Sequence, residues 1–227
     1  MFICACSQAK LLPRETLAAA MAAARAAGYR AVSVPDLCGL AADKSEWLAQ
    51  VAAQAHPLVA ACFPRAVRWL FHAAGAPLGD SATLVNLRTQ RAEDVYAALN
   101  VSAPAPSPPA AEPTETQDPP WIPWFPVIDY SRCVNCGQCK NFCLFGVYEL
   151  DGSGTVRVQN PTHCKTHCPA CARICPRAAI MFPKYEHAPI NGDEVTPENL
   201  DRQKMQTDMA AALGGDVYEK LRSRQTL

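Results

Sequence analysis

Twelve cysteines in 227 residues constrain this chain more than any other feature. Eight of them lie between residues 133 and 175, and the other four are spread over residues 4–62. Residues 1–6 contain no basic segment and no long apolar run, so we expect no secretory leader. In a reducing cytoplasm, thiols in such numbers are typical of metal or redox ligands rather than of disulfides. The sequence therefore predicts a cytoplasmic protein with metal or redox sites.

Charge and hydropathy exclude two classes of partner. The 21 basic and 21 acidic side chains cancel, which gives no general basis for binding nucleic acid. No apolar run reaches about 18 residues, so we expect no membrane span. The charge is uneven, however: residues 131–190 carry seven bases against three acids. The stretch richest in cysteine is therefore also basic, which favours a bound anionic group.

A proline-rich stretch divides the chain. Seven prolines fall within residues 101–120, where neither a regular helix nor a central strand can form. The predicted division is a small α/β domain, an extended linker, a cysteine-rich domain and a helical tail, over residues 1–100, 101–124, 125–190 and 191–227. We expect the linker to let the two domains reorient. The tail holds no cysteine or histidine, and no chemistry is expected there.

The first hundred residues alternate between short apolar runs and helical patterns. Strands are predicted at residues 2–4, 30–34, 58–61 and 82–85, and helices at 14–27, 44–55, 64–74 and 90–99. Such βα alternation favours a small parallel sheet with helices on its faces. With a separate cysteine-rich domain after it, the whole chain is expected to be of the α+β class.

The first four cysteines fall at strand ends of this pattern. Cys4 and Cys6 end the first strand, Cys38 follows the second and Cys62 ends the third. Because parallel strands place their carboxyl ends at one edge, the topology can bring these thiols into one crevice. The alternative is that they are free thiols in the core, since cysteine is among the most buried residue types.

Positive charge is expected at the same edge. A helix beginning near Pro64 would direct its N-terminal N–H groups and partial positive charge toward the crevice. Arg65, Arg88 and Arg91 lie in loops or first helical turns there. Both features would stabilise an anionic site.

The remaining eight cysteines form two runs of four. The runs are Cys133-x2-Cys136-x2-Cys139-x3-Cys143 and Cys164-x3-Cys168-x2-Cys171-x3-Cys175-Pro176. Three closely spaced cysteines with a fourth from the other run are typical of paired [4Fe–4S] clusters. Zinc also takes four-cysteine sites, and the second run matches the spacing of radical S-adenosylmethionine proteins. Radical S-adenosylmethionine chemistry needs a large barrel to hold the cosubstrate. Only 52 residues follow Cys175, which argues against this interpretation. His167 is a further candidate ligand, or simply a polar loop residue.

On these two runs, residues 125–185 resemble bacterial ferredoxins with two [4Fe–4S] clusters. The resemblance implies one cluster held by Cys133, Cys136, Cys139 and Cys175, and another held by Cys164, Cys168, Cys171 and Cys143. Two features depart from the family pattern: Leu144 replaces a proline after the first run, and the second run opens with one extra residue. Between the runs, residues 146–158 are predicted to form a strand, turn and strand.

The N-terminal motifs have a resemblance of their own. They are similar to the N-terminal domain of the heterodisulfide reductase A subunit, and they read Phe2-Ile-Cys4-Ala-Cys6, Val34-Pro-Asp-Leu-Cys38, Val59-Ala-Ala-Cys62-Phe-Pro-Arg65 and Asn86-Leu-Arg88. This resemblance implies a third [4Fe–4S] cluster with Cys4, Cys6, Cys38 and Cys62 as ligands. No G-x-G-x-x-G turn follows a strand, so we expect no flavin or nicotinamide.

These features favour an electron-transfer protein. The sequence contains candidate clusters but no evident acid–base or nucleophile set. We expect a relay of single electrons to or from a larger oxidoreductase. One alternative is a thiol/disulfide redox subunit, which would need a low-pKa, accessible pair among the N-terminal cysteines. Another is a structural or sensing module that holds zinc at the N-terminal site.

Overall fold

The computed structural model describes residues 1–102, here called the N-terminal part, and residues 121–201, here called the cysteine-rich part. Strands and helices alternate along the N-terminal part. They are β1 (Phe2–Cys4), α1 (Arg14–Ala26), β2 (Val32–Val34), α2 (Leu37–Ala42), α3 (Glu46–Ala52), β3 (Leu58–Ala61), α4 (Pro64–Ala73), β4 (Thr83–Asn86) and α5 (Ala92–Ala98).

The four strands form one parallel sheet in the order β2-β1-β3-β4. Every residue of β3 is buried, as expected for a parallel strand covered on both faces. Cys4 pairs in register with Val34, and Ala61 pairs with Asn86. The parallel sheet predicted from the alternation is therefore confirmed, and Cys4 and Cys62 lie at its carboxyl edge.

Helix α2 is an element that the sequence analysis missed. The sequence pattern predicts no helix between β2 and residue 44, but the segment after β2 turns at once into one. The Asp36 side chain caps this helix by accepting a hydrogen bond from the Gly39 N–H, at 3.1 Å. Cys38 therefore lies in the first turn of α2 rather than in a loop.

The cysteine-rich part is built from short elements around long loops. They are β5 (Val127–Ile128), α6 (Gln138–Phe142), β6 (Tyr148–Leu150), β7 (Val156–Val158), α7 (Ala170–Arg173) and β8 (Ile180–Met181). Strand β5 pairs antiparallel with β8, and β6 pairs antiparallel with β7. The predicted strand, turn and strand between the cysteine runs is confirmed by the second pairing.

The two parts share a hydrophobic core. Phe125, Val127 and Met181 of the cysteine-rich part belong to the same buried cluster as Val59 and Phe71 of the N-terminal part. Burying each such side chain contributes about 1.5–3 kcal/mol. The two parts are thus packed on one another.

Three cations reinforce this contact. Arg65, in the first turn of α4, donates to the Asp129 carboxylate at 2.7 Å and to the Ala178 carbonyl at 2.7 Å. Arg88 donates to the carbonyls of Pro183 and Tyr185. The third is an ion pair between Lys184 and Asp36, described below. The expectation that the two parts reorient is therefore wrong for the described residues, because a shared core and buried polar contacts join them.

The predicted tail is described only at its start. Residues 197–201 are helical, and the rest of the predicted helical tail lies outside the described residues. Among residues 1–102 and 121–201, no helix has the length and apolar character needed to cross a membrane.

Candidate metal centres

One cysteine group lies where α6 faces the segment before β8. Cys133, Cys136, Cys139 and Cys175 line a single small cavity that opens to solvent. Gly137 precedes α6 with a φ of 72°, a left-handed conformation that glycine adopts without strain. This turn lets the chain pass from the loop of Cys133 and Cys136 directly into the helix that carries Cys139.

Backbone donors point at the sulfur atoms of this group. The Asn135 N–H donates to Cys133 Sγ at 3.4 Å, and the Ala179 N–H donates to Cys175 Sγ at 3.3 Å. The pKa of the Cys139 thiol is raised to about 11, chiefly by burial; a backbone hydrogen bond at Lys140 opposes the rise, and the neighbouring Cys175, Cys133 and Cys136 add to it. The four sulfur atoms therefore lie close enough to interact, and hydrogen bonds are in place to stabilise bound thiolates.

In the other cysteine group of this part, Cys143 lies near the second-run cysteines Cys164, Cys168 and Cys171. Burial raises the pKa of Cys164 to about 12, with further increases from the nearby Cys168 and Cys143. Burial likewise raises the pKa of Cys171 to about 12, although the Tyr148 hydroxyl opposes this by hydrogen bonding to its sulfur at 3.1 Å. Cys143 comes directly after α6 and so reaches the second run.

The two groups have the membership that the ferredoxin resemblance implies. Each combines three cysteines of one run with the fourth of the other, since Cys175 lies beside Cys139 and Cys143 beside Cys164. That these cysteines ligate clusters stays a prediction. His167, the further candidate ligand, packs its ring against that of Trp124 with the centroids 5.1 Å apart.

The four N-terminal cysteines line a cavity of their own. Cys4, Cys6, Cys38 and Cys62 surround one small cavity, as the cysteines of the first group do. Cys6 has a φ of 48°. The Leu37 N–H donates to Cys4 Sγ at 3.2 Å.

Burial dominates the electrostatics of this cavity. It raises the pKa of Cys4 and Cys38 far above the ordinary thiol value, and it raises the pKa of Cys62 to about 12. Thiols in this state are poor nucleophiles, because the thiolate is the reactive form. For Cys4, Cys38 and Cys62, burial thus works against the thiolate form that thiol/disulfide chemistry would need.

The arginines predicted near this edge take different positions. Arg88 lines the cavity. Arg65 instead turns toward Asp129 in the cysteine-rich part. Arg91 is exposed and lies 3.9 Å from Glu93. The expectation that all three serve the N-terminal site is therefore wrong for Arg65 and Arg91.

An ion pair that the sequence analysis missed completes the cavity wall. Lys184, from the cysteine-rich part, places its Nζ 2.6 Å from Asp36 Oδ2, and both side chains are almost fully buried. Although burial opposes it, the pKa of Lys184 is raised, because Cys38, Asp36 and Cys6 lie nearby. No sequence pattern distinguishes Lys184 from an ordinary surface lysine, and residues 36 and 184 are 148 positions apart.

Within the described ranges, no group of three or more His, Cys, Asp and Glu side chains has an arrangement suited to a single metal ion. Zinc, the alternative metal for either set of cysteines, stays an untested alternative.

Comparison with known families matches residues 125–176 to the 4Fe-4S dicluster domain. The chain is 46% identical over 63 residues to an uncharacterized ferredoxin of Methanocaldococcus jannaschii. The matched segment covers 27% of this chain and 42% of that ferredoxin. It is 33% identical over 60 residues to the pyruvate synthase subunit PorD of the same organism, which covers 26% of this chain and 67% of that subunit. No solved structure matches the chain. The family match lies in the cysteine-rich part, and the resemblance of the N-terminal part stays a prediction.

Proposed function

We propose that the chain relays single electrons through three [4Fe–4S] clusters. Two of these clusters lie in the cysteine-rich part and a third lies in the N-terminal cavity. The proposal starts from residues 125–176, which match the 4Fe-4S dicluster domain and form a ferredoxin-like iron–sulfur domain for electron transfer. The observation that carries the proposal is the gathering of all twelve cysteines into three groups of four.

The ligand sets follow these groups. Cys133, Cys136, Cys139 and Cys175 hold one cluster, and Cys164, Cys168, Cys171 and Cys143 hold another. Cys4, Cys6, Cys38 and Cys62 hold the third. A bound [4Fe–4S] cluster supplies a one-electron couple whose potential depends on nearby charge, hydrogen bonds and solvent. The chain's own contribution is to fix the sulfur atoms, to supply N–H donors and to exclude water.

The third site is supported by its likeness to the first. Each of the two cavities is lined by four cysteines. Each also has a backbone N–H directed at a ligand sulfur. The cations Arg88 and Lys184 both oppose the rise in the pKa of Cys62 that burial causes, so they favour the thiolate that a metal requires.

A partner protein is part of the proposal. Exposed apolar side chains flank Cys143, namely Phe142, Leu144 and Phe145, and Leu144 is 92% exposed. Clustered exposed apolar surface is typical of protein contacts. Because the matched relative PorD is a subunit of pyruvate synthase by its name, we place this chain likewise with a larger oxidoreductase, in a reducing cytoplasm.

Iron and acid-labile sulfide analysis of the anaerobically purified whole chain tests the proposal. Three clusters give about twelve irons and twelve sulfides per chain. Cys62→Ser should reduce both numbers to about eight, and so should Cys139→Ser. Ser33→Ala, on an exposed position of β2, serves as the control and should leave them unchanged.

Two results would contradict the proposal in different ways. About eight irons in the unaltered chain, with no further loss in Cys62→Ser, would contradict only the proposed N-terminal cluster. Loss of iron in Cys62→Ser but not in Cys139→Ser would contradict the cluster assigned to Cys133, Cys136, Cys139 and Cys175.

A further inference from the structure

A buried charge pair joins the two parts of the chain at the N-terminal cavity. Lys184 and Asp36 have side chains that are 5% and 4% exposed, and their charged atoms are 2.6 Å apart. Lys184 follows Pro183, whose carbonyl is fixed by Arg88. Both Pro183 and Lys184 line the cavity of the four N-terminal cysteines. The cysteine-rich part thus supplies a positive charge to a site whose cysteines all belong to the N-terminal part.

Burying a lysine is costly unless the charge is compensated. Asp36 supplies one compensating charge, but its second oxygen, Oδ1, already caps α2 through the Gly39 N–H. The cysteine sulfur atoms are the other groups beside Lys184 that carry negative charge when they are thiolates. Lys184 lines the same cavity as Cys4, Cys6, Cys38 and Cys62. The ammonium therefore acts on the cysteine cavity as well as on its carboxylate partner.

We propose that Lys184 is a positioning residue that raises the reduction potential of the cluster in the N-terminal cavity, while its partner Asp36 lowers that potential. This inference rests on the proposed function, since it requires a cluster at Cys4, Cys6, Cys38 and Cys62. The cysteine-rich part thereby controls how strongly the N-terminal site holds an electron.

The physical reason is the charge added on reduction. One electron, supplied by the reductant, adds one negative charge to the site. A fixed cation in a water-poor wall stabilises that charge, and a fixed anion destabilises it. The charged groups that line this cavity are Lys184, Arg88 and Asp36. Removing one member of the ion pair therefore changes the net charge of the wall by one, with opposite sign for the two members.

This opposition separates the proposal from a purely structural role. If the pair only clamps the two parts together, Lys184→Met and Asp36→Asn should both weaken folding and should not displace the potential in opposite directions. Asparagine is also a good helix N-cap, so Asp36→Asn keeps the cap of α2 while removing the charge.

The experiment is an EPR-monitored redox titration of the whole, cluster-loaded chain. We expect Lys184→Met to weaken reduction of the N-terminal cluster about tenfold, a shift of about 59 mV to lower potential for a one-electron couple. Asp36→Asn should shift it to higher potential by a similar amount. Lys184→Arg keeps the charge and should stay near the unaltered value. The exposed Arg91→Gln is the control and should have no effect.

The signals of the other clusters should move little in each variant. Shifts of equal sign in Lys184→Met and Asp36→Asn, or no shift in either, would overturn the inference while leaving the proposed clusters intact. If Lys184→Met fails to fold, Asp36→Asn and Lys184→Arg still decide, because the inference requires a rise for the first and near constancy for the second. An iron count of about eight in the unaltered chain would instead show that the proposed third cluster, and the inference with it, is wrong.

Discussion

At the residue scale, the chain supplies individual donors to individual sulfur atoms. Tyr148 is the clearest case, because its buried hydroxyl lies 3.1 Å from Cys171 Sγ. The Tyr148 side chain belongs to β6 and reaches across to α7, which carries Cys171. A hydrogen bond to a ligand sulfur withdraws electron density, which favours the reduced state of a cluster.

We therefore expect Tyr148→Phe to lower the potential of the cluster assigned to Cys164, Cys168, Cys171 and Cys143. The ring stays and only the hydroxyl is lost, so iron content should not change. Redox titration of the whole chain measures the shift, with Tyr96→Phe on α5 as the control. An unchanged potential would show that this hydroxyl does not act on the cluster.

Gly192 is a second residue whose role is local and steric. Its φ is +95°, and a Cβ placed there would come within 2.4 Å of the Ala66 Cβ on α4. Gly192→Ala should therefore destabilise the contact between the two parts by about 1–3 kcal/mol. Urea unfolding measures this, and Gly152→Ala, where a Cβ meets nothing within 4 Å, should have little effect. Equal stability of the two variants would contradict the steric argument.

At the scale of elements, the positions of the cysteines follow from where the short helices and strands end. Cys143 follows directly on α6, and Cys175 lies between α7 and β8. Each short helix thus carries a cysteine of one group and directs the chain toward the other group. These two short connections are what would produce the crossed ligation that we propose.

We expect Cys143→Ser to damage chiefly the cluster held by Cys164, Cys168 and Cys171. The reason is that Cys143 lies beside Cys164, whereas Cys139 lies beside Cys175. EPR of the variant, compared with that of Cys175→Ser, should show loss of different signals. If Cys143→Ser instead removes the signal that Cys139→Ser removes, the ligation is not crossed.

The elements also show how far the sequence alone determines the fold. The strands of the N-terminal part could be predicted because apolar runs such as residues 58–61 alternate with helical patterns, and β3 has the predicted bounds. Helix α2 escaped prediction because it is short and its signal is a single cap, Asp36 before Leu37. The ion pair of Asp36 with Lys184 could not be predicted, since it depends on how two distant segments pack.

At the scale of the whole molecule, the N-terminal cavity belongs to both parts. The four cysteines come from residues 1–102, but Pro183 and Lys184 complete the wall. Phe125, Val127 and Met181 complete the core beneath the sheet. The proline-rich stretch suggested two independent domains, because sequence composition carries no information about a contact between them. The packed arrangement implies that the site and the sheet depend on the cysteine-rich part.

This dependence leads to a prediction about residues 1–102 expressed alone. The fragment exposes the apolar surface that Phe125, Val127 and Met181 cover, and it leaves Asp36 without its cation. We expect it to bind markedly less than the four irons and four sulfides of one [4Fe–4S] cluster after anaerobic reconstitution. Co-expression with residues 121–201 should restore binding, and co-expression with the same segment carrying Lys184→Met should restore it less well. A fragment that alone binds about four irons, with the stability of the whole chain, would show that the N-terminal part is self-sufficient and that the shared wall only joins two separate sites.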